Sequence, residues 1–142
     1  MKVCVVGAGA IGGYMAVRIA QAGHDVSVIA RGPHLAAIRA HGLKLIEADQ
    51  ELVATNLTAT DNIRELGPQD VVLLALKAHQ IEAVVEDLSV LLGAKTVLVT
   101  LQNGIPWWYF QRLDSPYAGR VVKTVDPNGV LFNNIDPDRV IG

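Results

Sequence analysis

The sequence holds a single cysteine, Cys4, so no disulfide can close within the chain, and no Cys/His cluster has metal-ligand spacing. Cys4 lies inside the first apolar run, where a buried, inert thiol is expected. An excess of one charge is also missing: 12 Lys and Arg stand against 14 Asp and Glu, for a net charge of −2. Neutralising a phosphate backbone requires a basic stripe, and its absence argues against nucleic acid as a partner. No apolar stretch is long enough to span a membrane. The N-terminal run after Lys2 superficially resembles a secretory signal, but Gly7, Gly9, Gly12 and Gly13 interrupt it and Arg18 closes it. A cytoplasmic location is therefore expected. Internal repeats, low-complexity segments and long linkers are absent too. Aromatics are few, and most of them fall in one run, Trp107 to Phe110.

What is abundant is aliphatic. Over 142 residues, 51% are hydrophobic and the mean hydropathy is +0.33. That is the size of one domain, 1–142, with enough apolar material for a core. Two sources fit the surplus: parallel strands buried on both faces, or a surface that meets another domain.

The apolar runs have a clear order. Val3–Val6 reads as a buried strand, Ile11 to about Ala22 as a helix stopped by Gly23, and Val26–Ala30 as a second strand. A short helix follows Pro33 and runs to about Ala40. Leu43–Ile46 and Leu52–Thr60 alternate loosely around Asp49-Gln50, as a hairpin or two short strands. Asp61 is a candidate cap for a short helix through Leu66. Asp70–Leu76 is a strand, and Gln80 to Leu92 a helix with apolar positions at 81, 84, 85, 88 and 91. Thr96–Leu101 is another strand. Beyond Pro106, Val121–Val125 and Val130–Phe132 read as strands around a turn at 126–129. Strands alternating with helices specify an α/β fold of the Rossmann type: a doubly wound, mostly parallel sheet with helices on both faces.

Gly7-Ala8-Gly9-Ala10-Ile11-Gly12 is G-x-G-x-x-G, set between a strand and a helix. The first glycine permits the tight turn, the second lets the backbone approach a pyrophosphate, and the third allows helix and strand to pack closely. The helix start offers free N–H groups and a positive dipole end. At the end of the second strand, NAD-binding domains tend to carry an acid for the ribose 2′-hydroxyl. This chain has Arg31 there, whose guanidinium suits the 2′-phosphate of NADP(H). Lys77 and Asn103 each follow a strand. In open α/β sheets, ligands bind outside the carboxyl ends of strands, so the glycine loop, Arg31, Lys77 and Asn103 share one edge. No metal site is expected. His24, His34, His41 and His79 lack a catalytic partner at recognisable spacing and read as surface or loop residues.

These pieces together resemble the ketopantoate reductases (2-dehydropantoate 2-reductases). The match rests on Gly7 to Gly13, Arg31, Leu76-Lys-Ala-His-Gln80 and Leu101-Gln-Asn-Gly104. The resemblance implies NADPH-dependent reduction of a 2-oxo acid, ketopantoate, to pantoate, a step of pantothenate biosynthesis. It implies that Gly7 to Gly12 and Arg31 hold NADP, and that Lys77 and Asn103 face nicotinamide and substrate. It also places the proton-donating lysine and a substrate-binding glutamate in a C-terminal helical domain absent from this chain, which alone is then expected to be inactive. A homo-oligomer is compatible with it. The Trp107–Phe110 run departs from the family pattern, and fits either local core packing or a wall toward the helical domain or substrate cleft.

Two alternatives stay open at this point. One is the N-terminal domain of another NADP-dependent hydroxyacid or polyol-phosphate dehydrogenase. The other is a regulatory nucleotide-sensing module, against which Arg31 and Asn103 speak.

Overall fold

A computed structural model describes residues 1–142. The first strand, β1 (Lys2–Val6), sends Val3 and Val5 into one apolar layer and Cys4 and Val6 into the other. With no polar face, it can only lie in the middle of a sheet. The Cys4 thiol is fully enclosed there, and burial pushes its pKa up from 9.0 to about 12. It is an inert core group.

After β1 come α1 (Ala10–Gln21), β2 (Asp25–Ile29) and α2 (Gly32–His41). An antiparallel hairpin, β3 (Leu43–Glu47) and β4 (Gln50–Ala54), stands apart from the main sheet. Then follow β5 (Leu57–Thr60), β6 (Gln69–Leu74), the short helices α3 (Ala78–Ile81) and α4 (Val85–Leu88), and β7 (Leu92–Thr100). The tail contributes α5 (Val130–Asn134) and β8 (Val140–Ile141). The six strands of the main sheet lie in the order β5-β2-β1-β6-β7-β8, and all pairings are parallel. This is the expected doubly wound α/β sheet. Its order reverses between β1 and β6, and that reversal opens a crevice at the carboxyl ends of the strands.

Both faces are covered. One carries α1, α2 and the hairpin, packed through Ala16, Val17, Leu35, Ile38 and Leu43. The other carries the 78–91 segment and the tail, through Ile81, Val85, Leu88, Leu91, Trp107 and Leu131. Small residues bring α1 close to the sheet: a Cβ on Gly12 would overlap the Gly7 carbonyl oxygen and lie 2.8 Å from Ala75 Cβ.

Several segments differ from the sequence expectation. The Leu52–Thr60 stretch divides between β4 of the hairpin and β5 of the main sheet. The short helix after Asp61 is a single 3-10 turn, Ile63–Glu65, and its cap is Asn62, whose side chain accepts from the Arg64 N–H at 3.1 Å. The expected helix from Gln80 is broken into α3, a 3-10 turn at Glu82–Val84, α4 and a second 3-10 turn at Ser89–Leu91, although positions 81, 84, 85, 88 and 91 are all buried as the spacing requires. Its Val84-Val85 and Ser89-Val90 pairs are weak helix formers, so packing of the apolar face, not propensity, sets the path. Neither tail strand forms as expected. Residues 121–125 turn, with Val125 and Asp126 N–H both donating to Val122 O. Val130–Asn134 is helical because the buried Asp126 carboxylate accepts from the N–H groups of Leu131 (3.1 Å) and Phe132 (2.8 Å).

No helix is long and apolar enough to cross a membrane, and no group of three or more His, Cys, Asp or Glu could hold a metal ion.

Candidate nucleotide and substrate cleft

Because β1, β2, β6 and β7 run parallel, the segments that follow them emerge on one edge of the sheet. Gly7 turns the chain out of β1 with φ +106°, a left-handed conformation that glycine adopts without strain. The loop is fastened to the next strand, since the N–H groups of Gly7 and Ala8 both donate to Ile29 O at 3.2 Å. Gly9 precedes α1 in an extended conformation and supplies no side-chain cap. The first N–H groups of α1 therefore stay open toward the crevice, and a Cβ on Gly9 would meet nothing within 4 Å. The three glycines do different work: Gly7 turns, Gly9 leaves room, and Gly12 packs.

Two adjoining clefts lie along this edge. The first, about 380 Å³, is lined by Gly7, Ala8, Gly9, Arg31, His34 and His79, among others, and by no carboxylate. Arg31 is the N-terminal cap residue of α2, is exposed, and forms no ion pair. The second, about 570 Å³, is lined by Gly7, Gly9, Ala10, Ile11, Lys77 and Asn103, with Gln80 and Gln102 beside them. Gly7, Gly9, Leu76 and Gln80 line both, so the clefts meet over the glycine loop. The structure thus brings Gly7, Ala8, Gly9, Ala10, Ile11, Arg31, Lys77 and Asn103 to one crevice. Gly12 lies behind the loop and lines neither cleft.

Lys77 is exposed at the start of α3. Its backbone N–H donates to Gln80 Oε1 at 3.1 Å, and its carbonyl accepts from Gln80 N–H at 2.8 Å, which fixes the turn that carries it. Two residues to which the sequence reading gave no role of their own also belong here. His34, expected to be an uninvolved surface residue, lies in the first turn of α2 with Nε2 2.8 Å from Ala8 O. A carbonyl oxygen can only accept, so Nε2 carries the hydrogen, and His34 ties the Arg31 helix to the glycine loop. Gln102 donates from Nε2 to Leu74 O (2.6 Å) and Leu76 O (3.0 Å). Both bonds span more than twenty-five residues of sequence, and no local pattern announces them.

The Trp107–Phe110 run divides. Trp107 is a core residue at 2% exposure, while Tyr109 is 47% exposed. Core packing accounts for the first.

The model of the ketopantoate reductase PanE/ApbA family matches residues 3–106. The chain belongs to this family. A 2-dehydropantoate 2-reductase of Mesorhizobium japonicum is 49% identical over the whole of this chain, which spans 44% of that relative's length. A crystal structure from Ralstonia solanacearum MolK2, assigned as a ketopantoate reductase, is 40% identical with a TM-score of 0.90; 97% of this chain covers 42% of it. The chain therefore spans less than half the length of these relatives. A D-mandelate dehydrogenase solved with NADH and anilino(oxo)acetate superposes with a TM-score of 0.73 over 99% of this chain and 39% of its own; at 22% identity it speaks to the fold alone. Membership of the ketopantoate reductases implies a nicotinamide cofactor.

Proposed function

We propose that this chain is the NADP(H)-binding domain of a 2-oxo-acid reductase, and that the acid is ketopantoate, reduced to pantoate. The observation that carries the cofactor choice is the cleft around Arg31: an unpaired guanidinium at the end of β2, with no carboxylate lining the site. An acid there would accept the ribose 2′-hydroxyl of NAD and repel a 2′-phosphate, whereas Arg31 pairs with the phosphate. The residues fit the rest of the nucleotide too. The open space at Gly9 admits the pyrophosphate against the free N–H groups of α1.

When bound, NADPH supplies the hydride that reaches the carbonyl carbon. Lys77 and Asn103, in the second cleft, orient the carbonyl and carboxylate of the 2-oxo acid beside the glycine loop. The carbonyl oxygen must also gain a proton. The family resemblance puts that donor on a lysine in a helical domain corresponding to the remaining length of the relatives.

Loss of NADPH absorbance with ketopantoate present tests this. The 142-residue chain alone should turn over near background, because a missing general acid by itself removes about 10²–10⁴-fold of rate. In a protein carrying the relatives' full length, Lys77→Ala and Asn103→Ala should lower kcat/KM by more than they weaken NADPH binding. Unchanged kcat/KM in both would make them solvated loop residues. Robust turnover by the isolated chain would move the acid to Lys77.

A further inference from the structure

The second cleft exists because two neighbouring strands stop pairing. The β6–β7 ladder runs to Leu74 and Thr100, and one more backbone bond follows, from Leu101 N–H to Leu74 O at 3.1 Å. Beyond it the two segments separate, with Ala75, Leu76 and Lys77 on one wall and Leu101, Gln102 and Asn103 on the other. The Gln102 side chain crosses that gap where the backbone ladder has ended, donating to Leu74 O and Leu76 O at 2.6 and 3.0 Å.

The orientation of this amide is settled by chemistry. Both partners are carbonyl oxygens, so only the nitrogen end can face them. That leaves Oε1 buried without a hydrogen-bond partner. Folded proteins rarely leave a buried acceptor orphaned, and an apolar side chain of the same length would fill the space without doing so. The two bonds tie the residue that follows the end of β7 to the last carbonyls of the β6 segment, where the backbone ladder no longer does. Leu76 O belongs to the peptide unit that leads into Lys77, and Gln102 is the residue before Asn103. Lys77 and Asn103 carry no side-chain hydrogen bond of their own to hold them.

We infer that Gln102 is a positioning residue, a clamp that fixes the separation of Lys77 and Asn103 across the cleft. This rests on reading that cleft as the nicotinamide and substrate end of the nucleotide site. Without the clamp the two loops can move apart, and the nicotinamide end loses its seat. The adenosine end, built on Gly7–Gly9, Arg31 and His34, is held by bonds that do not involve Gln102.

The test uses the 142-residue chain and two variants of nearly the same length. Gln102→Met removes both bonds, and Gln102→Glu turns a carboxylate toward two carbonyls. Amide hydrogen exchange without ligand is followed at residues 76–78 and 102–104, together with the melting temperature. Affinities are measured for NADPH and for 2′,5′-ADP, which lacks the nicotinamide half. In Gln102→Met, exchange at both segments should quicken by about tenfold with the melting temperature little changed. NADPH should bind about 5- to 10-fold more weakly, with 2′,5′-ADP within about twofold of the parent; Gln102→Glu should show the larger NADPH loss. Equal losses for the two ligands, unchanged exchange, or failure of both variants to fold would make Gln102 merely structural and overturn the proposal. If the parent chain bound neither ligand, the nucleotide reading would fall, and the exchange rates alone would decide whether the clamp exists.

Discussion

At Gly12 a Cβ would overlap the Gly7 carbonyl oxygen, whereas at Gly9 it would meet nothing within 4 Å. The two glycines thus differ in kind: Gly12 is required by packing of the protein on itself, and Gly9 faces open space, which the proposed function assigns to a ligand. Gly9 also has φ −73°, a conformation open to alanine. Gly12→Ala should therefore destabilise the chain by about 1–3 kcal/mol through overpacking, visible as a lower melting temperature. Gly9→Ala should leave the melting temperature within a few degrees while weakening nucleotide binding about tenfold or more, equivalent to at least about 1.4 kcal/mol. Equal melting temperatures for the two variants, or unimpaired binding by Gly9→Ala, would contradict this division. The placement of Arg31, Lys77 and Asn103 at one crevice was legible in the sequence because each lies within three residues of a strand end, and strand ends in a parallel sheet share an edge. His34 and Gln102 were not. Their partners, Ala8 O and the carbonyls of Leu74 and Leu76, become neighbours only once the strands are paired.

Strands enclosed on both faces were read correctly; elements decided by one side chain, or by packing against weak propensity, were not. β1, β2, β6 and the core of β7 are near-continuous apolar runs, and no other arrangement buries them. The 78–91 segment kept its buried face but not its helical regularity. The tail failed because Val130-Leu-Phe132 is too short for periodicity to separate strand from helix. The deciding group is the Asp126 carboxylate, buried at 1% exposure, which accepts two N–H groups at the start of α5. Removing it in Asp126→Ala leaves those donors unpaired and should cost about 1–3 kcal/mol, read as a lower denaturant midpoint. The same measurement separates Asn62 from Asp61. Asn62→Ala should cost about 0.5–2 kcal/mol as a lost cap, and Asp61→Ala should stay within about 0.5 kcal/mol. A larger loss at Asp61 would restore the cap read from the sequence.

For the molecule as a whole, the apolar surplus has two locations. One is the sheet, whose central strands are enclosed on both faces. The other is the surface, where Ile105, Tyr109, Tyr117 and Ile141 of the tail are exposed, as are Ile46 of the hairpin and Ile11 at the start of α1. The edge proposed to hold nucleotide and substrate is defined by neither. It is the crevice where the strand order reverses, with a cationic, carboxylate-free end at Arg31 and a second end framed by Lys77 and Asn103. The division into two ends follows from topology, since β2 lies on one side of β1 and β6 and β7 lie on the other. The choice between NADP and NAD rests on Arg31. A paired titration of the 142-residue chain and its Arg31→Ala variant with NADPH and NADH, followed by cofactor fluorescence, tests it most directly. A charged hydrogen bond contributes about 1.5–3 kcal/mol, so Arg31→Ala should weaken NADPH binding about 10- to 150-fold and leave NADH nearly unchanged. Equal losses for the two cofactors, or no preference for NADPH in the parent chain, would contradict the assignment of this edge to NADP.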